Sequence, residues 1–198
     1  MAKLTDMTTG SISKHLLAFA APLLLGNIVQ QFYNMVDSII VGNYVGQNAL
    51  AAVGTCGSMG FLFFSLSSGL AIGIGIIVSQ YFGAKDYQNV RTTIGSSLYV
   101  LSISAFIVTL IGVFLSPALL KLLQCPNTIF KDAVTYMRVT SLGIVFIALY
   151  NGVAAILRAL GDSKSPLYFL IISSIVNIAL DLLFVLVLNW EVFGVAFA

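Results

Sequence analysis

Apolar residues fall in long unbroken blocks along this chain. Two stretches, 38 to 84 and 92 to 120, contain no Asp, Glu, Lys or Arg. A hydrocarbon core of about 30 Å takes about 20 helical residues at about 1.5 Å each. The blocks therefore predict five complete transmembrane helices, at about 16–41, 51–80, 94–116, 133–157 and 166–188, and the start of a sixth over 193–198. Polar alternation at period two is absent, which argues against a β-barrel. The predicted fold class is an all-α membrane protein, a helical bundle with 1–198 as one transmembrane unit.

Local punctuation agrees with these blocks. Gly42 and Asn43 follow the first span, Gly83 closes the second, and Ser116-Pro117 is expected to break the third. Gly161 suits the position after the fourth helix, and Ser165-Pro166 has the cap and first-turn chemistry of a fifth. The connections are too short for a soluble domain. The chain stops at GVAFA, five or six residues into the sixth span, as expected of a truncated chain or a piece of a longer gene product.

Composition removes whole function classes. Of 198 residues, 59% are apolar and 8% charged, too few charges for an ordinary soluble surface. A net charge of +2, spread thinly, offers no basic face to nucleic acid. No enzyme activity and no cofactor are expected. Cys56 and Cys125 have neither metal-ligand spacing nor the look of a disulfide pair, and both read as inert. The first apolar run carries Gln30, Gln31, Asn34 and Asp37, so it is not a cleavable signal segment. Lys3, Lys14, Lys85, Arg91, Arg158 and Lys164 gather on one side, against Lys121, Lys131 and Arg138 on the other. That asymmetry predicts a cytoplasmic N-terminus, cytoplasmic loops at 81–92 and 158–165 and an outer loop at 117–132.

Two acids lie inside spans, Asp37 and Asp181, each an expensive residue to insert and so expected to face a partner or a water-filled cavity. Counting back from the span ends places them about 6 and 10 Å below the same, outer surface. At 100° per residue Asn27, Gln30, Asn34 and Asp37 share one arc of the first helix, and Ser173, Ser174, Asn177 and Asp181 share one arc of the fifth. Lipid cannot satisfy either stripe. Single Ser and Asn residues commonly serve as interhelical glue. For the acids the plain alternative is an ion pair with Arg138, although one arginine cannot neutralise both. Gly54, Gly57 and Gly60, with Gly69 and Gly73, read as close-packing glycines, and FLFFS at 61–65 as lipid-facing or core. His15 reads as an interface residue. Pro22 marks a bend in the first helix.

Three motifs in order carry a family resemblance. PLLLGNIVQQFYNMVDSIIVGNYVGQNALAAVG, Pro22 to Gly54, resembles the first-helix signature of the multidrug and toxic compound extrusion (MATE) transporters; ILRALGDSKSP, 156 to 166, resembles their loop between helices four and five; and IVNIALD, 175 to 181, their fifth-helix motif. The resemblance covers all five spans. It implies a twelve-helix transporter of two six-helix lobes, of which this chain is the amino-terminal one, in the plasma membrane. It implies a secondary-active antiporter that exports cationic or polyaromatic compounds in exchange for H+ or Na+ by alternating access. Asp37 matches the family's first-helix acid, Asn177 and Asp181 its fifth-helix pair, and Pro22 the proline whose bending is linked to protonation. The same three polar residues suit a Na+ ion as hard oxygen ligands, with Asn27, Gln30, Asn34 and Ser173 lining the cavity. A sixth-helix hydroxyl of the family falls beyond Ala198. The implied partners are small cationic substrates, the bilayer and a second six-helix lobe, either downstream in the gene or from another chain. The alternatives are a lipid-linked sugar flippase of the same superfamily, which wants a cationic cavity for pyrophosphate, a non-transporting membrane subunit, and a channel, for which no pore-lining ring stands out.

Overall fold

The computed structural model describes residues 12–198. Lys3 and Asp6, and the side chains of Lys14 and His15, lie outside what it describes. Six helices follow in order: α1 Ile12–Ile40, α2 Gln47–Gly83, α3 Tyr87–Leu122, α4 Phe130–Ala159, α5 Lys164–Leu182 and α6 Glu191–Phe197. No strand occurs among the described residues, so the architecture is the all-α bundle that the apolar blocks predict. α1 and α5 each run on into a turn of π-helix, at Val41–Val45 and Leu183–Val187. Four segments are long and apolar enough to cross a membrane: Gln47–Gly83, Tyr87–Leu122, Phe130–Ala159 and Lys164–Val187. α1 is long enough at 29 residues, but Asn27, Gln30, Gln31, Asn34 and Asp37 dilute its hydropathy.

Several boundaries differ from the sequence reading for identifiable reasons. Ser116-Pro117 does not end α3, which continues to Leu122. The missing N–H of Pro117 is tolerated within the turn, and the true stop is Gln124, whose φ of 55° is left-handed. Gly42 and Asn43 do not end α1 either, since they sit inside its π turn. The break comes at Gly46, whose φ of 117° suits only glycine. Gly161 takes the left-handed conformation after α4, with φ 89°. The helix that follows is not capped by Ser165. Asp162 caps it instead: Oδ1 accepts from the backbone N–H groups of Lys164 and Ser165, at 3.1 and 3.0 Å, and Oδ2 accepts from the Ser165 hydroxyl at 2.6 Å. These bonds hold the Asp162 carboxyl below the usual carboxylate range, the Ser165 hydroxyl contributing most.

The helices form two groups. α2, α3 and α4 pack extensively on one another, with α4 in the middle, while α1 packs chiefly on α5. Close approach of α3 to α4 rests on two glycines that the sequence reading passed over. A Cβ on Gly112 would collide with the Ser141 side chain, and one on Gly152 with a Leu101 methyl. The glycines singled out as packing residues behave otherwise: a Cβ on Gly54, Gly57, Gly60, Gly69 or Gly73 would meet nothing within 4 Å. The pair α1–α5 joins the rest where the two π turns meet α6, around Ile40, Val41, Ala49, Val185, Val192 and Val195. Between the groups, α1 and α2 stand apart and leave a cleft. Phe61 is 71% exposed whereas Phe63 is a core residue, so the FLFFS run faces both ways.

Candidate transport site

Two cavities open from that cleft. The first, about 390 Å³, is lined by Asn34, Asp37 and Ser38 of α1, by the open glycine strip of α2 and by Tyr136 and Thr140 of α4. Its walls follow from the sequence: glycines at 54, 57 and 60 fall on one helix face and remove side-chain bulk opposite the acid. The second, about 430 Å³, is lined by Gln30 and Tyr33 of α1, Tyr150 and Asn151 of α4, and Ser173, Ser174 and Asn177 of α5. No lysine or arginine lines either cavity among the described residues.

Asp181 lies in neither lining. It is wholly buried, with 0% of its surface exposed. Four buried oxygens in this region have no hydrogen-bond partner: Oδ1 of Asp37, Oδ1 of Asn177 and both carboxyl oxygens of Asp181. Buried polar atoms are nearly always paired, because each bare one costs about 1–3 kcal/mol. Each of these oxygens is an acceptor only, satisfied by a hydrogen-bond donor, a proton or a small hard cation. The Nδ2 of Asn151, a donor, is also buried and unpartnered in the second cavity.

Arg138 does not pair with these atoms. Its Nε donates instead to the Val113 carbonyl of α3 at 3.2 Å, and the buried Asp37 Oδ1 and both oxygens of Asp181, the two acids for which the sequence left an ion pair open, have no hydrogen-bond partner. Among the described residues no cluster of three or more His, Cys, Asp or Glu is placed to hold a metal ion.

The expected lining residues divide between the cavities. Asn34 and Asp37 face the first, Gln30, Ser173 and Asn177 the second. Asn27 joins neither: it is exposed on an outer groove beside Leu24, Ile28 and Phe32. Pro22 is half-buried inside a continuous α1. Tyr136, Thr140 and Asn151 escaped the sequence reading, although each is a polar residue within a long apolar span. Cys56 and Cys125 are both buried in one hydrophobic cluster, and the Cys56 thiol donates to the Ala133 carbonyl at 3.3 Å.

Comparison with known proteins places these features in company. The MatE family model matches residues 22–183. A probable multidrug resistance protein of Bacillus subtilis, YpnP, is 33% identical over 99% of this chain and 44% of its own length. The multidrug export protein MepA of Staphylococcus saprophyticus is 23% identical over 94% of this chain and 41% of its own. Among solved structures, a MOP superfamily transporter from Pyrococcus furiosus, described as having a binding pocket of reverse polarity that suggests a different function, superposes with a TM-score of 0.92 at 26% identity. It is matched over all of this chain and 43% of its own. A multidrug resistance MATE family transporter in an outward-facing conformation gives 0.90 at 26% identity, over all of this chain and 44% of its own. The chain thus spans a little under half the length of the proteins it matches.

Proposed function

This chain belongs to the MatE family, and from that premise we propose that it is one six-helix lobe of a secondary-active antiporter that exports cationic or polyaromatic compounds in exchange for H+ or Na+. The observation that carries the proposal is the set of bare, buried acceptor oxygens on Asp37, Asn177 and Asp181. A carboxylate removed from water and left unpaired is costly, so the protein is stabilised when a proton or Na+ occupies it. A cationic substrate entering beside Asp37 competes for the same negative charge. Because ion and substrate cannot both be held well, loading one expels the other, which is the condition for exchange rather than leak.

In this reading the ends of α1, α3 and α5 nearest the π turns and Leu122 face outward, with the N-terminus cytoplasmic in the plasma membrane. A second six-helix lobe covers the open side of the cleft. Alternating access turns one lobe against the other about a fixed site. Pro22, which cannot donate to the helix ladder, is the point at which α1 bends as the acids load. The flippase alternative is disfavoured by charge sign, since pyrophosphate needs cationic walls and the lining here offers Asp37 with no lysine or arginine.

The test joins export and thermal stability, in full-length protein, for Asp37→Asn, Arg138→Gln and the double variant. The proposal expects Asp37→Asn to lose ion-driven export while melting like wild type, with no rescue by the arginine change. Full export in Asp37→Asn would sink it.

A further inference from the structure

The face of α4 turned away from the cleft carries charge where bare lipid contact is expected. At 100° per residue Lys131, Thr135, Arg138 and Leu142 fall within an arc of about 60°, centred about 170° from the cleft-lining Tyr136, Thr140, Ile144 and Ile147. Arg138 is exposed there, and with Phe114 of α3 at 71% and Leu142 at 58% exposure, no described helix covers this α3–α4 seam. The neighbouring helix explains how the arginine is held. Pro117 has no N–H to give the Val113 carbonyl one turn back, and Arg138 Nε donates to that oxygen at 3.2 Å, beside the Ser116 hydroxyl at 3.3 Å. Two donors satisfy the carbonyl's two lone pairs. The guanidinium is thus anchored through Nε alone, and its two NH2 groups are not spent on that bond.

Depth identifies the ligand. α4, with 30 residues, is about 45 Å long and α3, with 36, about 54 Å, so in a hydrocarbon layer of about 30 Å centred on them Arg138 and Val113 lie about 2–5 Å inside its edge. Lys131, and Lys121 one turn beyond Pro117, are both exposed and stand about 10–12 Å further out, among the headgroups. Asp132 lies off the stripe, about 100° round the helix from Lys131. A charge that faces acyl chains is costly unless it is paired, and the open edge of a guanidinium just under the headgroup layer fits a pair of phosphate oxygens. We infer that the α3–α4 seam around Arg138 is a binding site for an anionic phospholipid, with its phosphodiester on Arg138, its head between Lys121 and Lys131 and an acyl chain along Phe114, Leu142 and Phe146. A zwitterionic head would instead bring its own ammonium against the two lysines. The predicted topology makes this the outer leaflet. The site is independent of the antiport reading, since Arg138 lines neither cavity.

The test places full-length protein in phosphatidylcholine nanodiscs doped with a trace of phosphatidylglycerol or phosphatidylcholine that carries a photoreactive acyl chain, and maps the crosslinked peptides by mass spectrometry. Wild type is expected to label 110–122 and 131–146 about tenfold more with the anionic probe than with the zwitterionic one. Arg138→Gln should cut that ratio to about twofold or less, and Arg138→Lys, which keeps the charge but loses the fork, should fall between. Should Arg138→Gln fold poorly, Lys121→Gln with Lys131→Gln, both at exposed positions, is expected to lower the ratio about threefold. Equal labelling of the seam by the two probes in wild type overturns the site, as does a wild-type ratio in the variants that fold. Displacement of the anionic probe by excess inorganic phosphate as effectively as by unlabelled phosphatidylglycerol also overturns it, because the seam would then hold a free phosphate and not a lipid.

Discussion

Asp181→Leu separates stability from transport most sharply. The residue is completely buried and both its carboxyl oxygens lack partners. Each bare oxygen costs about 1–3 kcal/mol, and a leucine removes that cost, offset by about 1–2 kcal/mol for fitting extra methyl bulk into a closed site. The net expectation for the two oxygens is a lobe as stable as wild type or more stable by up to about 5 kcal/mol, with export abolished. Wild type regains stability only when its ion is bound, by about 2.7 kcal/mol at a hundred times the dissociation constant. Its unfolding midpoint should therefore climb with Na+ or with falling pH, whereas that of Asp181→Leu should stay flat. Thermal unfolding of the purified full-length protein across ion concentrations, with export measured in parallel, provides the assay. A drop of about 3–5 kcal/mol, the signature of breaking a buried ion pair, would refute the reasoning, as would an ion response retained in the variant.

Three further outcomes follow from the packing and the caps. Gly112→Val should push α4 off α3 at Ser141 and destabilise the protein by about 1–3 kcal/mol, while Gly69→Ala, which meets open space, should be neutral or slightly stabilising; midpoints of thermal unfolding decide. Asp162→Ala should cost about 1 kcal/mol at neutral pH. Because the folded carboxyl titrates below its unfolded value of 3.8, that contribution is complete above about pH 4 and fades as pH falls through the lower folded value; the wild-type and alanine unfolding curves should converge in acid and not in base. Finally, a single cysteine at position 88, with Cys56 and Cys125 replaced by alanine, should resist an impermeant thiol reagent on intact cells and react after permeabilisation.

How far the sequence announced all this depends on how unusual each residue is in its setting. Asp37 and Asp181 stand out because a carboxylate in an apolar span has few reasons to be there, and helical phase linked each to its amide neighbours. Charge-free blocks located the helices, but a 20-residue yardstick measures the bilayer and not the helix: α2 and α3, at 37 and 36 residues, extend well past it, so Pro117 looked like a terminator. Glycine spacing is ambiguous for a physical reason. Gly54, Gly57 and Gly60 present the same bare face whether it meets a neighbouring helix's side chain, as Gly112 does, or an open cavity. Tyr136 and Asn151 were visible as polar residues in the fourth span, yet only the packing of α4 against both groups gives them a cavity to face. The division of Asp37 and Asn177 between two cavities was not legible at all, since it depends on where α2 projects Phe64.

The central claim is that ion and substrate compete for the acids of this lobe. Its most direct test is the release of the bound ion when substrate is added to full-length protein in weakly buffered detergent solution, followed by a pH indicator for H+ or by an ion-selective electrode for Na+. Wild type is predicted to release about one to two ions per cationic substrate bound, in keeping with reciprocal linkage between the two ligands, and Asp37→Asn with Asp181→Asn to release none. Equal release from the double variant, or substrate affinity in wild type that does not change with ion concentration, would contradict the account.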